Sequence, residues 1–275
     1  MREEATAFVP GHVTGFFSAH PDDDPTKAGS RGAGLTLTDG VEVTVEPAAE
    51  RTVVLDGEPI AIDPVVDVLE ALEAPARVEA VSELPLGAGF GVSGAMALGT
   101  AFAANRVFER HRSRNELVAI AHAAEVRAGT GLGDVVAQAQ GGIPIRLEPG
   151  GPAVNELDAV PARSRVEYVP FGELSTADVL AGETAQLSRA GEAALSRIVE
   201  EPTLEAFMDA SERFARDAEL LTPPLEAAIE DVTAVDGQAS MAMLGETVFA
   251  LGTGLSDAGY EPSVCTTHPA GAVLK

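Results

Sequence analysis

Residues 84–95 read Leu84-Pro85-Leu86-Gly87-Ala88-Gly89-Phe90-Gly91-Val92-Ser93-Gly94-Ala95. This stretch lies between a strand-like run at 77–81 and a helix-like run that starts near residue 93. Glycine permits backbone angles that are closed to other residues and lets a ligand approach closely. The first N–H groups of a helix have no internal partner, and the positive end of the helix dipole attracts anions. A glycine-rich turn that opens into a helix therefore predicts a phosphate site.

Two better-known phosphate motifs resemble this loop but do not fit it. A P-loop ends in Gly-Lys-Ser/Thr, whereas this loop ends in Val92-Ser93-Gly94. The letters Gly89-x-Gly91-x-x-Gly94 match the dinucleotide fingerprint, but its acidic residue must end the next strand, and Glu109 continues a helical pattern. The remaining alternative is a turn that only packs helix on sheet. Alternate glycines ahead of a serine exceed what packing requires, which favours nucleotide-phosphate binding.

Composition restricts the partners and the location that we expect. The chain has 275 residues, of which 45% are hydrophobic, enough for one large domain or two lobes around a cleft. No apolar run reaches the ~18 to 20 residues of a membrane span, and no signal-peptide pattern is present, so we expect a cytoplasmic protein without a membrane partner. Cys265 is the only cysteine and is predicted to be a buried hydrophobe. A homodimer is compatible with the sequence but is not determined by it.

The charge balance is strongly acidic. Asp and Glu number 43 against 18 Lys and Arg, which gives a net charge of −25 and argues against a nucleic acid partner. Lys27 and Lys275 are the two lysines, and the acidic residues are spread along the chain. This composition resembles that of cytoplasmic proteins from extreme halophiles. Self-repulsion should then destabilise the fold at low salt, where charges are poorly screened.

Strand and helix patterns occur in both halves of the chain. Glu148-Pro149-Gly150-Gly151-Pro152 breaks both periodicities, and we predict one lobe over 1–150 and a second over 151–275. Thr38-Asp39-Gly40 predicts a hairpin turn between strands at 35–37 and 41–45. The patterns also predict helices near 93–110, 114–127, 184–199, 203–220 and 224–233, and strands near 142–147, 165–171, 239–251 and 263–274. The chain is thus predicted to be a two-lobed α+β protein with its ligand in the cleft.

Three segments occur in an informative order: Val9-Pro10-Gly11-His12-Val13-Thr14-Gly15, then Pro85 to Ala95, then Glu125 with Gly129 to Asp134. This order resembles the GHMP kinase superfamily, whose central loop reads approximately Pro-x-Gly-x-Gly-Leu-Gly-Ser-Ser-Ala and wraps the ATP phosphates. The resemblance implies an α+β, two-lobed GHMP kinase fold, with a ribosomal-protein-S5-domain-2-like N-terminal lobe, a ferredoxin-like C-terminal lobe and the active site in the cleft.

The chain also departs from the pattern of the superfamily. His12 stands where many members have a basic residue after Pro-Gly, Phe90 replaces leucine, and Val92 replaces the first serine. The third motif is recognisable only weakly, at 238–245. The segments 10–17 and 29–34 resemble the archaeal branch that phosphorylates pantoate in coenzyme A synthesis, which implies ATP and Mg²⁺ as cofactors and pantoate as substrate.

Two alternatives to that function stay open. The first is another GHMP kinase, with homoserine, shikimate or mevalonate as acceptor. The second is a nucleotide-binding regulatory protein that has kept the fold without the chemistry. Intact Ser93, Glu125 and Asp134 argue against the second alternative.

The resemblance assigns roles to residues of the loop and of the third segment. The hydroxyl of Ser93 and the carboxylate of Glu125 would hold Mg²⁺, and Asp134 aligns with the catalytic base of several members, although some members act by positioning alone. By their local sequence, Ser93 and Asp134 could instead cap helices. His122 and Glu125, one helical turn apart, could share a transition metal, but no third ligand is evident. The predicted phosphate-binding residues are Pro85, Gly87, Ala88, Gly89, Phe90, Gly91, Val92, Ser93 and Gly94.

Pantoate carries a carboxylate that a guanidinium could bind with two parallel hydrogen bonds. Arg146 is the leading candidate, because it follows the apolar strand residues 143–145 and matches a substrate-contacting arginine of the archaeal kinases. An outward-facing Arg146 is the alternative, since strand alternation leaves its face undetermined. His12 is the second substrate candidate, against a satisfied half-buried histidine, and Arg31 is the third.

Overall fold

The computed structural model describes residues 3–172 and 184–275, which form two sheets and the helices around them. The strands are β1 (Ala5–His20), β2 (Gly29–Pro47), β3 (Thr52–Leu55), β4 (Glu58–Pro59), β5 (Ala76–Ser82), β6 (Ile143–Glu148), β7 (Glu156–Val160), β8 (Arg165–Gly172), β9 (Ala239–Ala242), β10 (Glu246–Leu251), β11 (Ser263–Thr266) and β12 (Val273–Leu274). The helices are α1 (Asp63–Ala71), α2 (Val92–Val107), α3 (Arg114–Ala128), α4 (Asp134–Gln140), α5 (Thr184–Glu200), α6 (Leu204–Asp217), α7 (Pro223–Ala234) and α8 (Gly254–Asp257).

The large sheet has the order β12-β1-β2-β5-β3-β4, and β6 and β7 extend it from β2. Its pairs are antiparallel except for the parallel pair of β3 and β5. Because β1 has 16 residues, the segment from Val9 to Gly15 lies inside a strand. His12, a predicted substrate residue in this segment, is therefore held on the sheet. β7 and β12 belong to this sheet although they follow residue 150. The lobe boundary at 150 stays a prediction.

The predicted hairpin at Thr38-Asp39-Gly40 is wrong, because β2 continues through these residues. Thr36 of β2 lies opposite His12 of β1, and Gly40 lies opposite Pro10. The pairing therefore resumes after an irregularity in which residues 37–39 of β2 face the single residue 11 of β1. A bulge of this kind uses turn-forming residues without reversing the chain. It bends the long β1–β2 ribbon next to the glycine loop.

Helix α2 forms the centre of the first part of the fold. It is apolar around nearly its whole circumference, and it packs on β1 and β2 on one side and on α1 and α3 on the other. A helix that is hydrophobic all round is a buried helix. Gly99 permits the closest approach, since a Cβ there would lie 2.6 Å from Val43. The predicted helices near 93–110 and 114–127 are confirmed as α2 and α3.

The second sheet has the order β11-β8-β10-β9 and is antiparallel throughout. The predicted strand at 239–251 is a hairpin, in which β9 and β10 are joined at residues 243–245, and Leu244 takes a positive φ of 66° there. The predicted strand at 263–274 is likewise two strands, β11 and β12, in different sheets. None of the helices in the described ranges is long and apolar enough to cross a membrane.

Candidate active site

The glycine loop adopts the backbone angles that its sequence predicts. Gly87, Gly89 and Gly91 have φ values of 80°, 89° and 64°, in the region that favours glycine. Gly91 is the N-cap of α2, and no side chain caps that end of the helix. Within 3–172 and 184–275, no residue accepts a hydrogen bond from the N–H groups of residues 89–94. These free donors at a helix N-terminus form an anion site.

The loop lines a cavity of about 380 Å³, which is open to solvent. Ser93, Glu125 and Asp134 line the same cavity, so the structure brings together residues that are far apart in the sequence. Of the predicted loop residues, Pro85 and Ala88 are not in the lining. Further residues line the cavity without having been predicted from the sequence, namely Thr14, Ala61, Ile62, Asp63, Pro64, Leu86, Ala128, Thr130, Met243 and Leu244.

One side of the cavity is formed by a hydroxyl and a carboxyl group. Ser93 Oγ donates a hydrogen bond of 2.6 Å to Glu125 Oε1, and Glu125 is buried. Burial raises the pKa of Glu125 to about 7, the nearby negative charge of Asp134 also raises it, and the hydrogen bond from Ser93 opposes the rise. Ser93 occupies the second position of α2, so the alternative that it merely caps the helix is wrong.

Asp134 is held by a histidine from the first strand. His12 Nδ1 and Asp134 Oδ1 are 2.8 Å apart, and the His12 side chain is fully buried. Burial alone would raise the pKa of Asp134, but the hydrogen bond from His12 and the charge of Arg146 outweigh it, so the pKa lies below its ordinary value. The ionised carboxylate only accepts, so Nδ1 of His12 carries the proton and donates. Asp134 starts α4 without capping it.

His12 itself has an unfilled hydrogen-bonding position. Burial lowers its pKa more than the bond to Asp134 raises it, so the ring is neutral near pH 7. Its Nε2 has no hydrogen-bond partner among the described residues. The alternative of a half-buried, satisfied histidine is therefore wrong.

Arg146 is buried beside Asp134, with 1% of its surface exposed. Its Nε and Nη1 atoms have no hydrogen-bond partner in the described ranges. Burial lowers the pKa of Arg146 to about 10, against the attraction of Asp134, and the group stays protonated at neutral pH. Ser30 and Arg146 both approach Gly133 so closely that a Cβ there would lie 2.5 Å and 2.6 Å from their side-chain atoms. The alternative of an outward-facing Arg146 is wrong, and a buried cation with free donors is suited to an anionic ligand.

Arg31 has a different environment from the other predicted substrate residues. Its Nη1 donates to Glu192 Oε2 and its Nε to the carbonyl of Leu147, each at 2.6 Å. Glu192 belongs to α5, and it also accepts a hydrogen bond from Ser18. None of the three predicted substrate residues, His12, Arg146 and Arg31, is in the lining of the cavity, but His12 and Arg146 adjoin its lining residue Asp134. The contact of Arg31 with substrate stays a prediction.

The transition-metal alternative at His122 and Glu125 has no support in the described part of the chain. His122 Nε2 donates a hydrogen bond of 2.9 Å to the carbonyl oxygen of Ala28. No group of three His, Cys, Asp or Glu side chains in residues 3–172 and 184–275 could hold a metal ion. Cys265 is buried, as predicted, and is a free thiol.

Together these features define a class of protein. A glycine loop at a helix start and two carboxylates line one cavity, and a buried arginine lies beside one of those carboxylates. Residues 62–142 match the family model described as GHMP kinases N terminal domain. The chain belongs to the GHMP kinase family.

The similar proteins narrow this class further. The chain is 34% identical over 262 residues to the pantoate kinase of Methanospirillum hungatei, covering 90% of this chain and 87% of the relative. It is 37% identical over 261 residues to the pantoate kinase of Thermococcus kodakarensis, covering 89% and 86%. A solved structure described as a phosphotransferase related to the CoA biosynthesis pathway superposes with a TM-score of 0.88 at 31% identity, covering 99% of this chain and 98% of that one. A homoserine kinase of Halorubrum lacusprofundi is 41% identical over 133 residues, 45% of each chain.

Proposed function

We propose that this protein is a pantoate kinase, which transfers the γ-phosphoryl group of ATP to the primary hydroxyl of pantoate. The observation that carries the proposal is Arg146, a buried guanidinium with free donors beside Asp134. An acceptor that carries both a carboxylate and a hydroxyl would satisfy the first residue and present its hydroxyl to the second. The similarity to two pantoate kinases over most of the chain supports the same acceptor.

The nucleotide would occupy the cavity lined by the glycine loop. The free N–H groups of residues 89–94 would bind the phosphates. The apolar side chains of Ile62, Pro64 and Leu86 would contact the base or the ribose.

The side-chain oxygens on one side of the cavity are suitable ligands for Mg²⁺. This ion binds oxygen ligands, and it uses few protein groups because substrate phosphates and waters complete its octahedron. Ser93 and Glu125 are two such groups, and they lie within one hydrogen bond of each other beside the phosphate loop. When bound, the ion would neutralise charge on the β- and γ-phosphate oxygens.

The acceptor hydroxyl would lie against Asp134. Its oxygen forms a bond to the γ-phosphorus as the bond from that phosphorus to the β–γ bridging oxygen of ATP breaks, and its proton passes to the Asp134 carboxylate. The low pKa keeps Asp134 ionised and ready to accept, while His12 fixes the orientation of the carboxylate. Asp134 would therefore act by positioning as much as by basicity. His12 Nε2, which has no hydrogen-bond partner among the described residues, would accept a hydrogen bond from a hydroxyl group of bound pantoate.

The test is an acceptor screen with purified protein. We expect phosphopantoate and ADP to form with ATP and pantoate, at an initial rate at least tenfold above that with homoserine, shikimate or mevalonate. The Asp134→Asn variant, purified in parallel, controls for contaminating kinases. A preference for another acceptor would overturn the pantoate assignment but not the kinase class, whereas ATP binding without turnover of any acceptor would favour a regulatory protein.

Because both substrates are cytoplasmic metabolites, we place the enzyme in the cytoplasm.

A further inference from the structure

Carbonyl groups of the glycine loop accept hydrogen bonds from residues outside the loop. Thr247 Oγ1 donates to the carbonyl of Ala88 at 2.8 Å, and Gln138 Nε2 donates to the carbonyl of Gly91 at 2.9 Å. The backbone N–H of His12 donates to the carbonyl of Phe90 at 3.0 Å. The loop is thus bonded from β1, from α4 and from the second sheet.

These bonds determine where the loop N–H groups point. In a trans peptide, the carbonyl of one residue and the N–H of the next lie in one plane and point in opposite directions. The bonded carbonyls of Ala88 and Gly91 therefore direct the N–H groups of Gly89 and Val92 away from Thr247 and Gln138. Gly89 and Val92 line the cavity, and no described residue accepts from their N–H groups. The outside donors thus aim the anion-binding groups of the loop.

Thr247 and Gln138 are buried like residues of the core, yet their side chains bond to the glycine loop of the site. Both are fully buried, and neither lines the cavity. Gln138 lies one helical turn after Asp134 on α4. Its hydrogen bond to Gly91 therefore links the helix that carries the Asp134 carboxylate to the start of α2. Thr247 lies on β10, just after the close contact of Gly245 with Ala88, where a Cβ on Gly245 would lie 2.1 Å from the Ala88 carbonyl carbon.

We propose that Thr247 and Gln138 are positioning residues that orient the phosphate-binding N–H groups of the loop, so that both contribute to nucleotide affinity without lining the nucleotide cavity. This inference rests on the proposed function, since it requires that the loop bind a nucleotide. It predicts a loss confined to the nucleotide, because neither residue contacts Arg146 or His12 through a hydrogen bond.

The decisive variant is Thr247→Val, which has nearly the same shape but no hydroxyl. We expect it to weaken binding of a non-hydrolysable ATP analogue with Mg²⁺, measured by calorimetry, about five- to twentyfold, because it leaves a buried carbonyl unsatisfied. The KM for ATP should rise in parallel, and the KM for pantoate should stay within about twofold of wild type. Thr247→Ser keeps the donor and should restore affinity. Gln138→Met, a second variant on another element, should show the same split between the two substrates with a smaller loss of affinity, because the Gly91 carbonyl also accepts from the backbone N–H of Ala95.

Thr100→Val is the matched control. Thr100 is also a fully buried threonine on α2, but it lies more than one helical turn beyond the loop, and its hydroxyl has no hydrogen-bond partner among the described residues. We expect this variant to bind the analogue as wild type does. The inference is overturned if Thr247→Val binds like wild type, if Thr100→Val is equally impaired, or if both KM values rise together with a fall in Tm. A wild-type protein that does not bind the analogue would instead overturn the proposed function itself.

Discussion

Glu125 and Asp134 lie nine residues apart in the sequence and line the same cavity, yet their carboxyl groups have contrasting environments. Glu125 is buried and receives one hydroxyl hydrogen bond, and its pKa is raised to about 7. Asp134 is bonded to His12 and lies near the charge of Arg146, and its pKa is lowered. Burial acts on both groups in the same direction, so the difference comes from their partners.

This contrast separates two roles within one site. A carboxylate with cationic and N–H partners stays ionised and can accept a proton, whereas a carboxyl group without a cation ionises fully only when a positive charge arrives. Under the proposed function, the side of the cavity with Glu125 would hold the metal ion, and the side with Asp134 would receive the neutral hydroxyl. Gly131 lies between them, since a Cβ there would be 2.6 Å from Glu125 Oε2 and 3.4 Å from Asp134 Oδ2.

The largest effect is expected on the acceptor side. Asp134→Asn removes the negative charge that would accept the proton but keeps an oxygen that can accept from His12, and it should lower kcat on the order of 10²- to 10⁴-fold. ATP affinity should change little, because the loop N–H groups are intact. Pre-steady-state and steady-state rates with ATP and pantoate provide the measurement. Near-normal turnover would remove Asp134 from the chemistry and with it the contrast between the two carboxylates.

Arg146→Met tests whether the buried cation serves the acceptor. The substitution keeps apolar volume but removes the charged donors, and should cost on the order of 2 to 4 kcal/mol in kcat/KM for pantoate, or roughly 30- to 1000-fold, with KM for ATP close to wild type. Arg146→Lys should restore only part of the activity, because a point charge cannot reproduce the planar fork. If ATP and pantoate are impaired equally, Arg146 belongs to the nucleotide site or to the fold.

Glu125→Gln should act on the metal side alone. The amide keeps the contact with Ser93 but loses the negative charge, so we expect the Mg²⁺ concentration for half-maximal activity to rise about tenfold. An unchanged Mg²⁺ titration would reject Glu125 as a ligand.

The same variant should show the pH dependence of the buried carboxyl group in the absence of metal. The folded protein keeps the Glu125 proton up to about pH 7, whereas an unfolded carboxyl group releases it near its ordinary pKa of 4.5. The unfolded state therefore binds fewer protons in this window, and Glu125 lowers the free energy of unfolding as pH rises from about 4.5 to 7. Glu125→Gln should thus raise Tm relative to wild type at pH 8 and less at pH 5. Equal Tm differences at both pH values would contradict the raised pKa.

The smallest effect concerns the surface and not the site. With a net charge of −25, repulsion should be relieved between about 0.1 M and 1 M KCl, where the Debye length falls from ~10 Å to ~3 Å. We expect Tm and activity to rise over this range. The ratio of wild-type to Asp134→Asn activity should stay within about twofold, because buried charges are screened less than exposed ones. A flat or falling Tm would contradict the halophilic interpretation of the composition.

The sequence by itself determined the glycine loop and the start of the helix that follows it. Gly87, Gly89 and Gly91 required positive φ angles, and the helix after them could be identified from its composition, so loop and helix start could be predicted together. Ser93, Glu125 and Asp134 followed from their spacing and from the family resemblance, and they line one cavity. These features are local, and local sequence encodes them.

Only the tertiary structure decided the rest. The turn signal at Thr38-Asp39-Gly40 became a bulge because β1 offered a continuous partner on both sides, which no local pattern reveals. The strand pattern left the face of Arg146 open, and the fold buries it. Arg31 pairs with Glu192, and Thr247 bonds to Ala88, each across more than a hundred positions of the chain. Such contacts depend on how the two sheets and their helices pack, and a buried charge or an aimed N–H group acquires its chemistry only from that packing.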